Sequence, residues 1–181
     1  MTFTQVLLFL VLCLFHFQTF ADEVWIEIDT QKQQLLIKRG EKTITTLSDI
    51  AIGRNGSGYK LEQGDDITPI GHYRIAWINR RSPYYRFFGL NYPSISDAFR
   101  ALNIGRIDHK TYYRIIDKHM ANEPPPQDTV LGGNIGIHGL GKGDIKIHHL
   151  MNWTHGCIAL TNRQIDILSR WIEKGTRVEI K

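Results

Sequence analysis

The sequence predicts a mainly β domain with a few short helices, and three patterns carry that reading. Near the front, Val24, Ile26 and Ile28 alternate with Trp25, Glu27 and Asp29. The same two-residue period returns over residues 177–181. Helical spacing appears only in brief runs, the clearest being Ile165, Leu168 and Ile172. A period of two sorts side chains onto the faces of a strand, whereas a period near 3.6 makes one face of a helix.

Taken in order, the first alternating run is followed by a polar turn over residues 30–34 and a second strand over 35–37, so a hairpin is expected. Gly40-Glu41 is the next turn, and residues 43–52 read as further β structure. Asn55-Gly56-Ser57-Gly58 is a loop, and residues 73–78 are apolar and aromatic enough for another strand. Residues 79–133 read as an excursion from the sheet. It opens with Tyr84, Tyr85, Phe87, Phe88 and Tyr92, offers short helices over 96–102 and 111–119, and ends near Pro124-Pro125-Pro126, which no helix interior tolerates. A lid over a cleft and a packed structural insert are equally consistent with it. Residues 134–138 and 145–149 are expected as short strands. Thr161 and Gln164 have the spacing of a capping box for the helix that follows, and Gly175 sits where that helix would stop.

The length of 181 residues suits one domain plus a targeting segment. Twenty-two Lys and Arg against 18 Asp and Glu give a net charge of +4, with no basic run longer than Arg80-Arg81. That scatter argues against a nucleic-acid surface and leaves room for a carboxylate-rich substrate. Residues 3–20 are strongly apolar and end at Thr19-Phe20-Ala21, small enough at the decisive positions for a signal-peptidase site. The expected organisation is a signal peptide over residues 1–21 and one folded domain over 22–181. An uncleaved anchor, which would be the one membrane contact, and an N-terminal helix are the alternatives.

Cleavage there would remove Cys13 and leave Cys157 as a lone thiol in an oxidising compartment. Such a thiol is either a small buried hydrophobe or a group that is needed. Its setting, Thr154-His155-Gly156-Cys157, favours need. A thiol attacks carbonyls as thiolate and requires a base. Gly156 removes bulk beside it, and backbone N–H groups there could face an oxyanion. His155 shares a strand face with Cys157, while His138, in Ile137-His138-Gly139, approaches from elsewhere with freer geometry. His138 is therefore favoured as general base, with His155 in an orienting or oxyanion-side role.

Residues 138–162 resemble the active-site signature of the L,D-transpeptidase (YkuD-like) family. His138-Gly139 is followed by fourteen residues, then Thr154-His155-Gly156-Cys157 and, later, Asn162. Upstream, Thr68-Pro69-Ile70-Gly71 resembles the family's Thr-Pro-x-Gly turn. The resemblance covers nearly all of residues 24–181. It implies a sandwich- or barrel-like β fold, Cys157 as nucleophile, His138 as base, and the Gly139 carbonyl orienting that ring. It also implies acyl transfer from a peptidoglycan tetrapeptide stem, in which the fourth-position D-amino acid leaves. Acceptors are a second stem amine, giving 3–3 cross-links, or a wall-linked protein. With water as acceptor, the same site would be a carboxypeptidase or amidase. No metal or organic cofactor is implied, and the enzyme would work in the periplasm or cell envelope.

The chain departs from the pattern at Ala159, where many relatives carry Arg or Asn; Arg163, Lys142 and Lys146 are candidate substitutes. Trp153, Thr154 and Arg163 are candidate substrate contacts, with a core role equally open for Trp153. His148 and His149 are adjacent, and on a strand they would face opposite sides, which disfavours joint metal ligation.

Overall fold

The structure is a computed structural model and describes residues 23–181. The apolar segment expected as a signal peptide lies outside the described residues.

One eight-stranded sheet dominates. Its strands are β1 (Val24–Asp29), β2 (Gln34–Arg39), β3 (Lys42–Ser48), β6 (Gly71–Ser82), β7 (Tyr85–Leu90), β8 (Gly136–His138), β9 (Ile158–Ala159) and β10 (Arg177–Ile180). They are ordered β3-β2-β1-β10-β6-β7-β8-β9, and β4 (Ser57–Gly58) pairs with β5 (Thr68–Pro69) separately. The two alternating runs of the sequence meet in the middle, where β1 and β10 run parallel with Ile26 opposite Val178. Ile26, Ile28, Leu35, Ile37 and Val178 are fully buried in one core.

The other face of β1 is covered too, by long basic side chains. The Lys38 ammonium lies 4.6 Å and the Arg177 guanidinium 4.2 Å from the Trp25 ring centroid. Glu27 is bound by Lys38 at 3.1 Å and Lys181 at 2.8 Å. Aliphatic stems cover apolar surface while their heads meet charge, which lets Glu27 sit at 9% exposure.

Two expectations need correction. Residues 85–90 belong to the sheet as β7, paired antiparallel with β6 and β8. Aromatic residues suit a pleated, half-buried surface, and here Phe88 and Leu90 supply the core side. Residues 145–149 are helical: α3 spans Ile145–Leu150, with Asp144 as N-cap accepting from the Lys146 N–H at 2.7 Å. That local cap, with Ile145 and Ile147 left exposed, removes the segment from the sheet.

The excursion is a packed unit. Its helices α1 (Ile95–Asn103) and α2 (His109–Met120) bury Ala98, Ala101 and Ile115. Buried Asp97 closes a capping box with Ser94 and accepts from Tyr73 Oη at 3.1 Å, which pins α1 to β6. Tyr92 Oη donates to the Leu131 carbonyl at 2.9 Å and ties down the returning strand. The last helix, α4 (Asn162–Leu168), starts at the Thr161–Gln164 capping box.

Candidate active site

The site forms where the sheet ends, on β8 and β9. These run parallel, with Ile137 opposite Ile158 and His138 opposite Ala159. Residues in register share a face, and faces alternate along a strand. Continuing the register by one residue sets Cys157 opposite Gly136, on the face that carries His138. The imidazole and the thiol thus emerge on one side of neighbouring strands, diagonally offset. The Gly136 N–H is directed at the sulfur, and Sγ donates to the Asn134 carbonyl at 3.4 Å.

His138 is 3% exposed, and its Nδ1 lies 2.7 Å from the Gly139 carbonyl oxygen. A carbonyl only accepts, so Nδ1 carries the proton and Nε2 keeps its lone pair. Three aromatic rings hold the imidazole: Tyr84 at 4.5 Å between centroids, Trp153 edge-on at 5.8 Å and Phe87 stacked at 6.1 Å. Burial in this cage lowers the imidazole pKa, against a smaller opposite effect of the Gly139 hydrogen bond. Burial pushes the Cys157 thiol up to about 11, while the Gly136 N–H and the charge of Lys60 pull the other way. At neutral pH the resting pair is therefore a thiol and a neutral imidazole.

The turn ahead of Cys157 is braced from within. Thr154 is buried, and its hydroxyl donates to the Cys157 carbonyl at 2.6 Å while accepting from the Gly156 N–H at 3.1 Å. The Gly156 N–H, expected to face an oxyanion, is thus engaged by Thr154. Gly156 itself has φ of +124°, and a Cβ there would lie 2.7 Å from the Ile67 carbonyl oxygen. His155 is exposed, and its Nδ1 donates to Asp66 Oδ1 at 2.6 Å. That bond holds the Asp66 carboxyl below the usual carboxylate range. Arg163 is exposed in the first turn of α4, and Trp153 is half-buried against His138.

The YkuD L,D-transpeptidase catalytic domain description matches residues 23–180. The chain belongs to that family. The family acts on peptidoglycan stem peptides. No curated protein sequence matches the chain. Solved structures of similar fold include the helical cell shape determining protein Pgp2 from Campylobacter jejuni, at 20% identity and TM-score 0.55, covering 91% of this chain and 51% of that one. Bd1075 of Bdellovibrio bacteriovorus shows 19% identity and TM-score 0.57 over 88% of this chain and 48% of its own. An L,D-transpeptidase from Xylanimonas cellulosilytica shows 15% identity and TM-score 0.50, with 89% and 61% covered. The chain spans about half the length of the first two.

Within the YkuD signature, Asn162 secures the loop after the histidine. Its Oδ1 accepts from the Leu140 and Gly141 N–H groups, each at 3.0 Å, and its Nδ2 donates to the Gly141 carbonyl at 2.9 Å. Ala159 is fully buried and exchanges two backbone bonds with Ala51, at 3.0 and 2.7 Å. Lys142, Lys146 and Arg163 are all exposed. The buried cation whose charge reaches the sulfur is Lys60, which sequence reading missed. Lys60 pairs with Asp65, whose carboxylate also accepts the N–H groups of Leu61, Glu62 and Ile67 at 3.0–3.2 Å. This knot shapes the loop that presents Ile67 to Gly156 and Asp66 to His155. Asn134, Asp66 and Lys60 carry no local motif; only the Thr68-Pro69 turn nearby hinted that their loop mattered. Among the described residues, no three His, Cys, Asp or Glu side chains converge as a metal site would.

Proposed function

We propose that the chain is an exported peptidoglycan L,D-transpeptidase with Cys157 as nucleophile and His138 as general base. The observation that carries this reading is the shared face of neighbouring strands on which the register sets Cys157 and His138, the imidazole Nδ1–H being held by the Gly139 carbonyl. His138 Nε2 takes the thiol proton as Sγ attacks the carbonyl between the third and fourth stem residues. The imidazolium then protonates the amine of the fourth residue, the C–N bond breaks and a thioester remains. An acceptor amine attacks the thioester, gives its proton to His138, and Sγ leaves to regenerate the thiol. The neutral resting pair suits this order, because proton transfer accompanies attack and no stored thiolate is needed. With the Gly156 N–H engaged by Thr154, the Cys157 N–H is the donor left for the oxyanion. The acceptor is a second stem amine or an amine of a wall-linked protein, and transfer to water would make a carboxypeptidase or amidase of the same site. The apolar residues 3–20, read as an export signal, support work in the periplasm or envelope.

Incubation with a stem tetrapeptide or a carbapenem should yield a covalent adduct on the wild-type protein by mass spectrometry, and none on Cys157→Ala. An adduct on the Ala variant removes Cys157 from the mechanism. Digestion of muropeptide products separates the acceptors: 3–3 cross-linked dimers indicate an amine, shortened stems alone indicate water.

A further inference from the structure

Trp153 walls the imidazole cage, and its backbone is pinned on both sides. Asn152 Oδ1 accepts from the Ile52 N–H at 3.0 Å and from Gln33 Nε2 at 3.1 Å, and the Thr154 N–H donates to the Ile52 carbonyl at 3.1 Å. The freedom that remains is rotation of the side chain, and the indole N–H is the one polar handle on it. That N–H donates to His148 Nδ1 at 3.4 Å, while the ring meets His138 edge-on at 5.8 Å between centroids. Phe87, another wall of the cage, is instead stacked on Trp77 at 6.1 Å.

His148 belongs to α3 and is 4% exposed. An indole N–H only donates, so His148 Nδ1 keeps its lone pair and the proton sits on Nε2. Nε2 is buried and has no hydrogen-bond partner among the described residues. A buried polar atom left so destabilises a fold, and an apolar side chain would fill the space without that penalty. Packing therefore does not account for a histidine here, whereas the acceptor at Nδ1 does. On the His138 pKa, burial acts most strongly and the Gly139 bond opposes it; a charged His148 adds a further lowering.

We propose that His148 is a positioning residue for acyl transfer: while neutral it accepts the Trp153 indole N–H and so holds that ring against His138. This rests on the proposed function and adds a residue that the mechanism above does not use. Protonation turns Nδ1 into a second donor facing the indole N–H, so the contact is lost and Trp153 is released. It also sets a like charge near the imidazolium that forms as His138 takes the thiol proton. Both effects act in one direction, so the reaction needs His148 neutral. The titratable groups facing it are His149 in the same helix, at 5.5 Å between ring centroids, Asp49 in the loop after β3, and His138 beyond Trp153. Burial lowers the His148 pKa, the charge of His149 adds to that, and Asp49 opposes both.

The test follows carbapenem acylation of Cys157 in the full chain between about pH 5 and 8, with two variants. His148→Leu removes the acceptor, whereas His148→Asn puts an amide oxygen near the place of Nδ1 and does not titrate. At the alkaline end His148→Leu should acylate about tenfold more slowly than wild type while melting no lower, and His148→Asn should restore the rate. As pH falls, the wild-type rate should drop more steeply than one proton allows, and the His148→Asn rate along a one-proton curve. The Trp153 indole N–H resonance, identified by its loss in Trp153→Phe, should lie downfield in wild type and His148→Asn and at the free-indole position in His148→Leu. A wild-type rate in His148→Leu overturns the proposal while the transpeptidase reading stands. So does a His148→Asn variant that stays as slow as His148→Leu, or a melt that falls in step with the rate. If neither the carbapenem nor a stem tetrapeptide acylates wild type, both readings fall together.

Discussion

Replacing Gly156 by Ala tests whether the turn before Cys157 is held by backbone geometry. At φ of +124° an L-residue is strained by about 1–3 kcal/mol. The added Cβ would also sit 2.7 Å from the Ile67 carbonyl oxygen and 3.0 Å from Ile135 Cδ1. Neither neighbour yields freely, because the Ile67 N–H is bound by Asp65 and Ile135 is core. Forced overpacking adds about 1–3 kcal/mol, for a total near 2–6 kcal/mol. For a domain of this size, that lowers Tm by roughly 4–24 °C. Gly105→Ala is the control: φ there is +70°, but a Cβ would meet nothing within 4 Å. It should cost about 1–2 kcal/mol, with acylation unchanged. The assay is a thermal melt paired with the carbapenem acylation rate below the melting range. Gly156→Ala should lose at least tenfold in that rate, since the turn can relax only by moving the sulfur away from His138. A variant that melts and acylates like wild type would refute the account of the turn.

Thr154→Val keeps the shape but removes both bonds of the hydroxyl. The Gly156 N–H and Cys157 carbonyl then lose their partner, at a cost of about 1–3 kcal/mol in unfolding by denaturant, and acylation slows; unchanged stability would show that water replaces the hydroxyl. The pH dependence follows from burial of His138, whose pKa in the fold is lowered from an ordinary value of 6.5. The unfolded chain binds that proton more readily, so this contribution to stability is complete above about pH 6.5 and is lost as pH falls through the folded value. The acid limb of the acylation rate should likewise have its midpoint below 6.5, and a midpoint above it would mean that the ring is not the buried neutral base described here.

What the sequence made legible is what short range determines. The alternation around Ile26 and Val178 marks two strands without naming their partners, and the Thr161–Gln164 box is a contact of three residues. His138-Gly139 and Gly156-Cys157 stand out because each pair works through adjacent backbone. The aromatic run of β7 was misplaced because aromatic side chains suit a strand and a packed insert alike. The stretch 145–149 was misread because two isoleucines flanking alternating positions imitate a strand, while the Asp144 cap that decides it is one residue outside. Asp66 and His155 are separated by 89 positions, and Lys60 and Cys157 lie on different loops. Pairings of that kind are products of the fold, and nothing in a local window encodes them.

The parallel pairing of β1 with β10 has a consequence for the order in which the molecule can become itself. The strand that fills the middle of the sheet follows every other described strand along the chain, and its partner precedes them. Until residues 177–180 arrive, the β1–β3 meander and the β6–β9 half have no seam to join them. Contacts so distant in sequence are slow to form. A chain emerging from a ribosome would stay pliable until residues 177–180 are free, and only then could the two halves of the sheet be locked into one body.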